Sequence, residues 1–115
     1  MADVTIWHNP RCSKSRQAKA ILEDEGVDAE VREYLKVPPT RAELETLIEA
    51  LDLDDPRAMV RTGEAAYAEL DLAEVDRDEL IEAIVAHPIL LERPIVVRGI
   101  RAVIGRPPEL IRTLL

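Results

Sequence analysis

Between Val4 and Val31 the hydrophobic period changes from that of a strand to that of a helix and back again. Val4-Thr5-Ile6-Trp7 is a β-branched and aromatic run that stops at the turn signal His8-Asn9-Pro10. From Ser13 the apolar residues Ala18, Ile21 and Leu22 fall on one helical face, with Gly26 placed to end the helix. Val27, Ala29 and Val31 then alternate with Asp28, Glu30 and Arg32, which is strand periodicity. Strand, helix and strand in this order form a βαβ unit, so the two strands should lie parallel with a right-handed crossover. Trp7 and Tyr34 fall on these strands and are expected to serve packing.

The middle of the chain reads as helical. Thr40 and Glu43 form a capping-box pattern ahead of Leu44, Leu47, Ile48 and Leu51. A weaker segment covers Pro56 to Arg61. Asp76 and Glu79 repeat the capping pattern before Leu80, Ile81, Ile84 and Val85, and Pro88 helps close that helix. Ile95-Val96-Val97 and Ala102-Val103-Ile104 flank Gly99 as a β-hairpin, and Pro107-Pro108 opens a last short helix carrying Leu110, Ile111 and Leu114. The simplest way to bury these faces is an α/β fold: a four-stranded mixed sheet with flanking helices and a helical insert over about residues 38–90. That order of elements is the thioredoxin-like topology. With 115 residues, the chain 1–115 should form a single domain.

Charge and composition exclude several functions. Fifteen Lys and Arg against 23 Asp and Glu leave a net charge of −8, the wrong sign for nucleic acid as the main partner. No apolar run approaches the ~20 residues of a membrane span. Met1 through Trp7 lacks the basic start and apolar core of a leader peptide, so the cytoplasm is the expected location. One cysteine allows no internal disulfide, and one cysteine with two histidines at unsuitable spacing gives no metal site. No glycine-rich phosphate loop is present, and no cofactor is expected to be tightly bound. Nothing marks a subunit interface, so a monomer is expected.

The chemistry concentrates at His8-Asn9-Pro10-Arg11-Cys12-Ser13-Lys14-Ser15-Arg16. Cys12, the sole thiol, sits where the first strand hands over to the first helix. Free amides and the positive end of the helix dipole favour an anion there, a thiolate included. Arg11, Lys14 and Arg16 crowd the same turn, Arg16 shares a helical face with Cys12, and His8 lies four residues upstream. A lone cysteine is most often a small buried hydrophobe. A helix start with three cations, in an acidic chain, favours the nucleophile instead.

The spacing is not the cysteine-x5-arginine loop of low-molecular-weight phosphatases, and no second cysteine follows to make a dithiol. Any redox cycle through Cys12 therefore borrows its second thiol from another molecule. Arg61, Arg93 and Arg106 lie at element ends and could present guanidinium forks to a tetrahedral oxyanion, although spacing alone does not bring them together. The Arg93-Pro94 bond, entering a strand, makes Pro94 a candidate cis-proline.

These segments, with Tyr34-Leu35-Lys36-Val37-Pro38-Pro39-Thr40, His87-Pro88-Ile89-Leu90, Arg93-Pro94-Ile95-Val96-Val97 and Gly105-Arg106-Pro107-Pro108-Glu109, resemble the glutaredoxin-coupled arsenate reductases of the ArsC family. The resemblance is collinear over essentially the whole chain. It implies a thioredoxin-like fold with a helical insert, Cys12 as the nucleophile on arsenate and His8 as a residue that helps keep the thiol ionised. It further implies Arg61, Arg93 and Arg106 as oxyanion-holding arginines and Pro94 as a cis-proline facing the cysteine. The helix start of Ser13, Lys14, Ser15 and Arg16 is expected to supply further oxyanion donors. The implied reaction reduces arsenate to arsenite through a Cys12–arsenate adduct, with glutathione as co-substrate and glutaredoxin as partner. Two rival readings are a glutathione-linked thiol oxidoreductase of the same family and an Spx-like regulator that docks on RNA polymerase.

Overall fold

The structure is a computed structural model that describes residues 3–115; Met1 and Ala2, where the leader-peptide reading begins, lie outside the described residues. The chain divides into two compact units, one made of the residues up to Val37 together with Arg93–Leu115, the other of Pro38–Glu92.

The first unit holds strands β1 (Val4–His8), β2 (Ala29–Glu33), β3 (Ile95–Arg98) and β4 (Arg101–Ile104), with helix α1 (Ser13–Asp24) between the first two. The sheet order is β2-β1-β3-β4. β1 pairs parallel with β2, with Ile6 opposite Val31, and antiparallel with β3, with Ile6 opposite Val96. The mixed sheet follows from the sequence: a helical crossover makes the first pair parallel, and a tight turn makes β3 and β4 antiparallel. Gly99, at φ +60, opens that two-residue turn, a conformation an L side chain rarely adopts.

One face of the sheet carries a core of Val4, Ile6, Ala18, Leu22, Val96, Ile111 and Leu114. Val4 and Ile6 are two apart on a strand, Ala18 and Leu22 four apart on a helix, so each pair points the same way. α1 ends in a glycine-based cap, with Gly26 at φ +70 and the Val27 and Gly26 amides bonded back to the Leu22 and Glu23 carbonyls. The chain therefore reverses at the residue expected to stop the helix.

One detail sharpens the sequence expectation and two differ from it. The last short helix, Pro108–Leu114, is of the 3-10 type. Its three-residue period stacks Ile111 and Leu114 on one side, both into the core. Val31 is 42% exposed, because β2 is an edge strand and the residues that pack onto the core are Ala29, which opens it, and Val27, just before it. Tyr34 falls just past β2 rather than on it, and is buried.

The Pro38–Glu92 unit is helical: α2 (Arg41–Leu51), α3 (Ala65–Glu69) and α4 (Arg77–Ala86), with 3-10 turns at Pro56–Met59, Leu72–Glu74 and Pro88–Leu90. Both capping patterns form. Thr40 and Glu43 satisfy each other's backbone amides, and Asp76 accepts from the Glu79 amide at 2.9 Å. Arg57 donates to the Leu72 and Val75 carbonyls at 2.8 and 2.6 Å, which ties the first 3-10 turn to the loop before α4. Among the described residues no helix is long and apolar enough to cross a membrane.

Candidate active site

The turn that presents Cys12 is written locally. Asn9 and Pro10 occupy the positions of a β-turn that favour them, and the Cys12 amide closes that turn on the Asn9 carbonyl at 3.0 Å. The Asn9 side chain adds a second bond, accepting from the Arg11 amide at 3.0 Å. Cys12 is then the N-cap of α1, with extended φ and ψ of −94 and 123, and its carbonyl takes the first helical bond from Arg16. The sulfur makes no side-chain cap bond of standard geometry.

The thiol is half-buried and its pKa is pulled below that of an ordinary cysteine. Burial is the largest single influence and pushes the pKa up. It is outweighed by the Ser15 amide, the charge of Arg93, a hydrogen bond from the Arg93 side chain and the Lys14 amide, which all favour the thiolate. The cation that acts on the sulfur is therefore Arg93, distant in sequence. Arg16, the neighbour at helical spacing, turns its guanidinium to the Pro10 carbonyl at 2.8 Å.

Arg93 has capacity to spare. Its Nε and Nη1 are buried and have no hydrogen-bond partner among the described residues. Unpaired buried guanidinium donors are costly, and their planar fork is suited to an oxyanion. The main chain holds this arginine in place. The Arg93–Pro94 peptide is cis, the Arg93 carbonyl accepts from Arg106 Nη1 at 3.0 Å, and the Pro94 carbonyl accepts from the Gly105 amide at 2.8 Å. The Arg106–Pro107 peptide is also cis.

His8 is buried at 5% exposure, at the end of β1, with Nδ1 2.6 Å from the Ser15 hydroxyl. Burial lowers its pKa, the positive charges of Lys19 and Arg16 add to that, and Glu33 opposes them. Its surroundings thus favour the uncharged imidazole. Ser15 is buried, while Ser13 is exposed and Lys14 half-buried at the mouth of the turn. Arg61 lies in the other unit, where it makes an ion pair of 2.7 Å with Glu64. Among the described residues no cluster could hold a metal ion.

Sequence reasoning missed one part of this site, Gly105, and read the turn at Asn9 without its side-chain bond. Gly105 faces the Pro94 ring so closely that a Cβ there would lie 2.9 Å from Pro94 Cγ. Asn9 builds the turn with both its carbonyl and its side chain. The signal for Gly105 was a glycine just before Arg106-Pro107; the turn itself was legible in His8-Asn9-Pro10.

A family model described as "ArsC family" matches residues 7–114. The chain belongs to the ArsC family. An arsenate reductase of Neisseria meningitidis is 46% identical over 100% of both chains. One of Haemophilus influenzae is 43% identical over 97% of this chain and 98% of that one. The solved arsenate reductase from Vibrio cholerae superposes with a TM-score of 0.95 at 45% identity, covering 97% of each chain. This ArsC-family chain accordingly has the thioredoxin-like fold, with Cys12 at the β1–α1 junction. An ArsC-family thiol flanked by helix-start amides and a guanidinium with open donors can attack a tetrahedral anion while holding its charge.

Proposed function

We propose that this chain is an arsenate reductase in which Cys12 is the nucleophile and glutathione and glutaredoxin supply the external thiols. One observation carries the reading: among the described residues, the buried Nε and Nη1 of Arg93 have no hydrogen-bond partner, and the same arginine's charge lowers the Cys12 pKa. Family membership and relatives named arsenate reductase support it.

The residues act as follows. Arsenate is an anion and repels another anion. Arg93 and the amides of the α1 start neutralise that repulsion, and Arg106 and Arg61 are proposed to bind the same oxyanion. The Cys12 thiolate bonds to arsenic and hydroxide or water leaves. The glutathione thiol bonds to the same arsenic as a second hydroxide leaves, carrying the thiol proton away as water. A glutaredoxin thiolate then attacks the glutathione sulfur and carries it off as a mixed disulfide, leaving two electrons on arsenic, which passes from the +5 to the +3 state. Water cleaves the remaining sulfur–arsenic bond, releasing arsenite and restoring Cys12. With one cysteine in the chain, no internal disulfide can stand in for the external thiol.

Arsenate-dependent NADPH oxidation, coupled through glutathione, glutaredoxin and glutathione reductase, tests the proposal. Wild type should turn over and Cys12→Ser should not. Arg61→Ala, Arg93→Ala and Arg106→Ala should each raise the arsenate KM. A folded, reduced enzyme that is silent with arsenate but reduces glutathione mixed disulfides would replace this reading by the thiol-oxidoreductase one.

A further inference from the structure

Ser15 is fully buried in the first turn of α1, and its hydroxyl is taken up by two partners within the protein. It accepts from the Asn9 amide at 3.0 Å and lies 2.6 Å from Nδ1 of His8. Both partners belong to the end of β1 and the turn that follows. The same residue's backbone N–H is the amide that most favours the Cys12 thiolate. Ser15 therefore joins two roles: its side chain fixes the helix start to the end of β1, and its backbone N–H is the third amide of a helix whose N-cap is Cys12, one of the first-turn donors that have no intrahelical partner.

We propose that Ser15 is a positioning residue for Cys12, and that His8 acts on the thiol only through the Ser15 hydroxyl. The inference rests on the reading of Cys12 as nucleophile, but it concerns the thiol alone. It also reassigns Ser15: its amide serves the oxyanion site, and its hydroxyl does not. The physical argument is one of satisfaction. Removing the hydroxyl strands the part-buried Asn9 N–H and the buried His8 ring nitrogen. The turn relieves that loss by shifting, and the Ser15 amide leaves its position at the sulfur. The charged groups facing this cluster are Lys19 and Arg16 from α1 and Glu33 from β2 around His8, and Arg93 before β3 at Cys12. None of them is altered by the test.

The experiment is iodoacetamide alkylation of the sole thiol between pH 5 and 9, without arsenate or glutathione. It is run on wild type, Ser15→Ala, Ser15→Thr, His8→Ala and the Ser15→Ala/His8→Ala pair. Ser15→Ala should slow alkylation at pH 6.5 at least about threefold, a rise of about half a pKa unit in the thiol. Ser15→Thr, which keeps the hydroxyl, should stay within about twofold of wild type. The double variant should react no more slowly than Ser15→Ala alone, because the two residues form one path. A serine that served packing alone would lower the melting temperature and leave the alkylation profile in place; that result overturns the proposal. So does a double variant whose effect is the product of the single ones. If Ser15→Ala does not fold, His8→Ala decides, since an unchanged profile there removes the path. Because no arsenate is present, failure here is separate from failure of the arsenate reading.

Discussion

Gly105→Ala sets two effects of opposite sign against each other, and the structure decides between them. Replacing glycine by alanine usually stabilises by about 0.4–1 kcal/mol, because the unfolded chain loses freedom. Gly105 has no positive φ, so alanine would meet no backbone strain. It would instead meet its neighbours. A Cβ would sit 2.9 Å from Pro94 Cγ and 3.1 Å from Ile111 Cγ2, against about 3.5–4.0 Å for relaxed carbon contacts. Both neighbours are buried, and the proline ring is tied to the main chain, so neither can swing aside cheaply. Overpacking of this kind costs about 1–3 kcal/mol, and the two contacts together place Gly105→Ala near the upper end. The net loss is about 2 kcal/mol, or a fall of about 8 °C in melting temperature for a chain of this size. Gly63, with nothing within 4 Å and no positive φ, is the control: Gly63→Ala should be neutral or slightly stabilising. The assay is thermal or urea unfolding of the three proteins, followed by alkylation of Cys12, since a displaced Pro94 moves Arg93. A Gly105→Ala protein that melts within about 1 °C of Gly63→Ala would refute the reasoning.

Arg93→Ala removes the cation and the hydrogen bond that favour the thiolate, so the Cys12 pKa should rise and alkylation at pH 6.5 should slow several-fold. Thr40→Ala breaks the capping box of α2 and should cost about 1 kcal/mol in urea unfolding, with no change in Cys12 reactivity. His8 is held neutral by burial, with its folded pKa below the ordinary 6.5. The unfolded chain therefore binds more protons, and the contribution is present above about pH 6.5 and lost as the pH falls through the lowered folded value. The drop in unfolding midpoint between pH 7.5 and pH 5.5 should be smaller in His8→Gln than in wild type.

Local patterns carried most of the fold. The turn at Asn9-Pro10, the glycine stop at Gly26 and the Thr40–Glu43 and Asp76–Glu79 caps are short-range devices, legible because each needs only neighbours in sequence. The same locality explains what was missed. α3 (Ala65–Glu69) has no buried residue and no side-chain cap, so nothing in the sequence marks it. The cations next to Cys12 in the chain drew attention, yet the one acting on its sulfur is Arg93, brought there by strand pairing. His8 stood out by its spacing from Cys12, while its partner Ser15 was read only as an oxyanion donor of the helix start. Burial is a property of the assembled sheet and helix, and the sequence period around Ser15 does not reveal it.

The central claim is that arsenate is held against the Cys12 thiolate by the open donors of Arg93, and arsenate protection of Cys12 from alkylation tests it most directly. In wild type, alkylation at pH 7 should slow as arsenate is added and return when arsenate is removed, and in Arg93→Lys the protection should need much more arsenate, because a point charge cannot reproduce the guanidinium fork. Alkylation of wild type that is indifferent to arsenate, in folded and reduced protein, would contradict the account.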